Sequence, residues 1–150
     1  MPSAKDLIAK LDLQPHPEGG WFRETWRADA VDGERASGTL IHFLLQSDQS
    51  SHWHRVDAAE IWLWHAGNPL ELAQSAPGSG EVTKVTLGPD ILGGHAAQHV
   101  IPPGEWQAAR PIKSEHDYVL VSCVVSPGFE FAGFTLAPPE WDPKKDDKNA

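Results

Sequence analysis

The segment Ser51 to Gly67 reads SHWHRVDAAEIWLWHAG, and its histidines and glutamate are the residues in this chain best suited to chemistry. His52 and His54 stand two apart, a spacing that puts both imidazoles on one face of an extended strand. Glu60 follows on the next stretch. Two neutral imidazoles and a carboxylate form the donor set of a divalent transition-metal site, where ligands converge at about 2.0–2.2 Å. The same groups serve proton transfer without a metal, because an imidazole with an unperturbed pKa of about 6.5 is a suitable base near neutrality. In that reading His54 removes the proton and Glu60 orients it. In a plain binding pocket, His54 and Glu60 hydrogen-bond one another and a polar ligand, with His52 at the rim.

A second segment, Ile101 to Gln107, reads IPPGEWQ: a Pro-x-Gly turn, then the aromatic Trp106 and the amide Gln107. Gln107 is a candidate to complete a metal shell or to stabilise an enolate oxygen. Counting by twos from Glu60 places Trp62 and Trp64 on its face, so both indoles are expected to wall the same cavity. Trp62, Trp64 and Trp106 are the candidates to stack on a sugar or heterocycle; the rest of the 7 Trp are expected in the core. Arg23 and Glu24 are strand neighbours facing opposite sides, and one of them is expected to enter the pocket. The other histidines, His16 and His42 among them, have no partner at a readable spacing and are read as structural. Cys123, among valines, reads as a small buried hydrophobe.

Positioning these groups requires a β-framework. Ser3 and Asp6 signal a helix over residues 4 to 12, and the prolines and glycines of QPHPEGG, 14 to 20, end it in a loop. Beyond Gly20, short runs rich in Trp, Val, Ile, Phe, Leu and Thr alternate with turn residues. They predict strands at 21–27, 39–46, 52–55, 60–65, 70–75, 82–87, 98–101, 105–109, 118–125 and 130–136. Strands without intervening helices exclude a parallel βαβ sheet and predict an antiparallel sandwich or barrel. The chain reads as a single domain over 1–141, followed by a flexible charged tail at 142–150. At 150 residues it is long enough for a core without disulfides, and its 1 Cys allows no internal bridge.

Charge narrows the partners. A net charge of −9 with no basic cluster argues against nucleic acid and anionic membranes. The opening MPSAKDLIAK lacks the apolar stretch of a signal peptide, and no apolar run approaches the about 20 residues of a membrane span. Cytoplasm is the expected location. No Gly-x-Ser-x-Gly, Walker loop or dinucleotide fingerprint occurs.

His-x-His, Glu, Gly and the Pro102-x-Gly104 turn resemble the two motifs of the cupin superfamily. More closely, HPEGGWFRETWR at 16–27, SHWHRVDAAEIWLWHAG at 51–67, VIPPGEWQAAR at 100–110 and SPGFEFAGFTLAPPEW at 126–141 resemble the DUF985, or cupin_5, family. The resemblance implies an all-β double-stranded β-helix, the jelly-roll cupin barrel, with the site in its mouth and two copies paired as a homodimer. It also implies a possible tyrosine acid, as in cupin epimerases, for which Tyr118 is the one candidate.

Three departures from the family pattern bear on function. Five residues separate His54 from Glu60 where the superfamily has three or four, Gln107 stands where the superfamily has its last metal-binding histidine, and Ala59 and Leu63 replace an aspartate and a histidine common in DUF985. Three functions stay open: isomerisation or epimerisation of a small carbohydrate-like carbonyl compound, with Gln107 or a bound cation at the enolate oxygen; a metal-dependent cupin oxygenase, hydrolase or lyase holding one divalent transition metal on His52, His54 and Glu60, with Gln107 or water completing the shell; and binding of a small molecule without turnover.

Overall fold

The computed structural model describes residues 2–147; the last three residues of the expected tail lie outside the described residues. The predicted N-terminal helix forms as α1, Ala4–Lys10. Ser3 and Asp6 close a reciprocal capping box at its start, satisfying backbone donors that a free helix end leaves open.

Among the described residues eleven strands follow: β1 Gln14–Pro15, β2 Trp21–Arg27, β3 Thr39–Gln46, β4 Ser51–Val56, β5 Ala59–Gly67, β6 Leu70–Ser75, β7 Thr83–Leu87, β8 Gln98–Ile101, β9 Trp106–Pro111, β10 Tyr118–Ser126 and β11 Phe134–Leu136. They build one sheet in the order β1-β2-β3-β10-β5-β8 and another in the order β11-β4-β9-β6-β7. All pairings between these strands are antiparallel, which makes the molecule the all-β jelly roll expected from the sequence. The run predicted as a strand from Glu130 starts instead as a 3-10 turn, Phe131–Gly133, and only Phe134–Leu136 pairs with β4. Past Trp141, Pro143–Asp147 forms a short helix, α2, within the stretch expected to be a flexible tail. Among the described residues no helix is long and apolar enough to cross a membrane.

The two sheets enclose an interior with unlike ends. Phe43, Leu45, Trp62, Leu70, Leu72, Leu87, Ile101, Ala109, Val119, Val121 and Cys123 fill one end. These are the inward residues of strands whose alternation the sequence displays. Outside the larger sheet, α1 covers a satellite cluster of Ala4, Leu13, Leu44 and Tyr118. The other end stays hollow, and the candidate site lies there.

Candidate active site in the open end of the barrel

The hollow end is a cavity of about 440 Å³, within the range of small-ligand sites. Its wall draws Phe22, Glu24 and Arg27 from β2, Thr39 and Ile41 from β3, His54 and Val56 from β4, Glu60 from β5 and Val125 from β10. His16 and Glu18 enter from the loop before β2, and Phe129, Glu130, Phe131 and Phe134 close the far side.

His54 is a fully buried polar group of this wall, 1% exposed. It reaches the interior because β4 bulges against β9: Ser51 opposes Ala109 and His54 opposes Gln107, so three steps along β4 match two along β9. Ser51 and His54 are therefore both buried. The bulge breaks the alternation that predicted His52 beside His54. The His52 ring turns away and its Nε2–H donates to the Pro138 carbonyl at 2.9 Å.

Both nitrogens of His54 are committed. Nδ1 lies 2.7 Å from the His52 backbone carbonyl and Nε2 3.0 Å from the Glu18 carboxylate. A carbonyl and an ionised carboxylate only accept, so each nitrogen must carry a proton and the ring is an imidazolium. Burial alone would push this imidazole down; the Glu18 carboxylate, helped by Glu60, reverses that and holds it at about 9. Glu18 responds in kind. Burial would raise its carboxyl, but the His54 charge and hydrogen bond keep it below the ordinary range. The partner of His54 is thus Glu18, in place of the expected Glu60.

Glu18 owes its place to the QPHPEGG loop. Its backbone N–H donates to His16 Nδ1 at 3.1 Å, and its carbonyl accepts from the His52 N–H at 2.9 Å. Gly19, with φ +109°, follows in the left-handed region that favours glycine. A Cβ there would sit 2.1 Å from the Ser50 carbonyl oxygen, so only glycine lets the loop lie against the start of β4. Because His16 Nδ1 accepts a hydrogen bond, its ring proton is on Nε2. Burial holds this ring below the usual imidazole value, hence neutral at neutral pH.

Glu60 is 7% exposed and accepts from Gln107 Nε2 at 3.0 Å. Gln107 in turn accepts from Trp62 Nε1 at 2.7 Å. Burial raises the Glu60 carboxyl; the His54 charge pulls it down, Glu18 pushes it up, and it titrates at about 7. Beside it burial also pushes the Cys123 thiol up, so that group is neutral.

Several expected lining residues lie elsewhere. Trp62 is fully buried in the packed end and Trp64 packs against it, because β5 runs inward away from the cavity after Glu60. Trp106 faces outward from β9, packed at a 40° tilt against Trp141 with ring centroids 4.3 Å apart and the Arg55 guanidinium 4.8 Å from its ring. Tyr118, at the opposite end of β10 from Val125, points outward beneath α1. Arg23 is on the outer face, paired with Asp12 at 2.7 Å. Of the two strand neighbours, Glu24 is the one that reaches the cavity, at its rim, paired with Arg27 at 2.7 Å.

Residues 5–137 match the model of the Cupin_5 family, described as cupin superfamily (DUF985). The chain belongs to this cupin family. The protein SO0799 of Shewanella oneidensis has a similar crystal structure, with a TM-score of 0.84 and 37% identity over 91% of this chain and 85% of that one. The uncharacterised protein YML079W of Saccharomyces cerevisiae is 29% identical over 89% of this chain and 75% of its own. An oxalate decarboxylase variant from Bacillus subtilis shares the cupin fold alone, with a TM-score of 0.62 and 12% identity over 85% of this chain and 31% of that one.

Cupin barrels commonly bind a metal, and the donors expected here do not fit one. His52 points out of the barrel, His54 has no free lone pair, and Gln107 is engaged at both ends of its amide. Among the described residues no three His, Cys, Asp or Glu side chains are grouped to hold an ion. This cupin's site is an imidazolium–carboxylate pair, a second carboxyl group and a wall of phenylalanines.

His16 and Glu18 were not singled out by sequence reasoning. Their signal was present in the Pro-rich, double-glycine loop, whose tight backbone serves to bring an acid against β4.

Proposed function

We propose that the cavity binds a small carbohydrate-like carbonyl compound and isomerises or epimerises it by proton transfer through Glu60. The observation that carries this reading is the division of labour between two carboxyl groups in one enclosed space. Glu18 is fixed as the counter-ion of His54, whereas Glu60 faces the same cavity without a cationic hydrogen-bond partner. Environments that separate two acids in this way assign the fixed charge to one and the mobile proton to the other.

In the proposed reaction the Glu60 carboxylate takes the proton from the carbon beside the carbonyl, giving Glu60 carboxylic acid and an enolate. The acid then returns the proton to the neighbouring carbon, while that carbon's oxygen becomes a hydroxyl by taking the proton released by the adjacent hydroxyl, which completes the isomerisation. In epimerisation the opposite face of the enolate takes its proton from water and Glu60 gives its own back to solvent. His16, neutral with its proton on Nε2, is the donor available to the enolate oxygen. A neutral imidazole suits this task because it polarises a carbonyl without releasing its proton. His54, assigned as base from the sequence, has no vacant nitrogen to accept a proton and holds Glu18 and the loop in place.

The test is exchange of substrate hydrogen in D2O, followed by proton NMR over a panel of aldoses and ketoses. Glu60→Gln is expected to lower exchange by about 100-fold or more, the usual contribution of a positioned acid–base group, with the melting temperature retained. Undiminished exchange in that variant would overturn the assignment. A sugar that binds in the cavity and is recovered with no exchange would make the site a binding pocket without turnover.

A further inference from the structure

The charges around the cavity do not balance, and the imbalance bears on what it admits. Building on the small-molecule reading above, we infer that the preferred ligand carries a protonated amine, in place of a carboxylate or phosphate.

Both cations of the lining are already engaged. His54 directs one N–H to Glu18 and the other to a backbone carbonyl. Arg27 donates from Nε and Nη2 to the two oxygens of Glu24 and from Nη2 to the Phe129 carbonyl. Each cation is thus neutralised by one carboxylate, and an incoming anion meets no unshared positive charge. Glu60 and Glu130 remain over, and the cation that Glu130 feels, Arg35, is already paired with Asp57 at 2.8 Å. Glu130 stands at the exposed rim and makes no cap hydrogen bond to the 3-10 turn that follows it.

The aromatic wall has the same preference. The centroids of Phe129 and Phe131 are 4.9 Å apart, and both rings lie within 6.0 Å of Phe134. Phe131 is 60% exposed, a large apolar surface left open at the mouth beside Glu130. Ring faces carry the negative side of the aromatic quadrupole, so they attract an ammonium group and repel a carboxylate. A mouth edged by a carboxylate and phenylalanines, leading to a second carboxyl group, selects for positive charge.

Two matched sets of probes test this: benzylamine, benzyl alcohol and benzoate, and glucosamine, glucose and glucuronate. Affinity is measured by calorimetry, and occupancy of the cavity by shifts of the His16 and His54 ring protons in NMR. Within each set the amine is expected to bind about 10-fold or more tighter than the neutral compound, with the anion weakest. Glu130→Gln is expected to narrow that preference with no change in melting temperature, and raised salt to narrow it further. Equal or tighter cavity binding by the neutral or anionic member overturns the charge inference and leaves the small-molecule reading standing. Failure of every probe to shift either ring overturns both.

Discussion

The two ends of the barrel are built from the same strands and do opposite things. Along β5, Glu60 lines the cavity and Trp62 fills the core; along β10, Val125 lines it while Cys123, Val121 and Val119 fill; along β3, Thr39 and Ile41 give way to Phe43 and Leu45. Residue volume explains part of this change. The rest comes from charge: the open end holds a buried ion pair that apolar packing cannot replace without stranding a partner. Gln107 is the seam, since its amide accepts from Trp62 on the packed side and donates to Glu60 on the open side.

The comparison breaks most readily at the packed end. Trp62→Ala removes a fully buried indole and strands the Gln107 carbonyl, so a loss of about 3–5 kcal/mol is expected in urea unfolding. Phe131→Ala, at the exposed mouth, is expected to cost less than about 1 kcal/mol. Similar losses for the two would mean that the open end is a folded core and no reserved cavity.

Next in size is the pH dependence carried by the buried groups of the open end. Glu60 is raised from 4.5 to about 7 on folding, so its contribution is full below 4.5 and is lost as pH rises through 7. His54 is raised from 6.5 to about 9, so its contribution is full below 6.5 and disappears through 9. Glu18 is lowered, so its contribution is present above 4.5 and falls away in acid. His16 is lowered by burial, so its contribution is present above 6.5 and opposes the decline below that; urea midpoints should therefore fall most clearly between pH 6.5 and 9. Glu60→Gln is expected to flatten the part below 7 and leave the part above it, and an unchanged profile in that variant would refute the assignment.

Smaller effects sharpen the picture. Gln107→His restores the ligand type of the superfamily at the seam, yet equilibrium dialysis against zinc is expected to show no tight site, because His52 and His54 stay turned away or protonated. Arg23→Ala, on the outer face, is expected to change stability by less than about 1 kcal/mol, as exposed ion pairs usually do, and to leave ligand binding unaltered.

The fold was largely legible because its strands carry their period openly, and inward Phe43, Leu45, Val119 and Val121 alternate as a half-buried sheet demands. The site was less so. One inserted residue in β4 exchanges the direction of His52, and nothing in SHWHRV marks where a bulge will fall. The Trp62 and Trp64 expectation failed differently: facing inward was correctly inferred, but distance along the strand decides between cavity and core. Glu18 was hidden because a loop residue has no periodicity, and its partner His54 stands far along the chain on β4.

Gly19 extends this lesson to heredity. Any side chain there meets the Ser50 carbonyl, and the relief of that clash withdraws Glu18 from a ring shut away from water, which then loses the partner that keeps its second proton in place. An inherited change in a turn that most proteins would tolerate would here break the buried ion pair and unsettle the barrel at a single stroke.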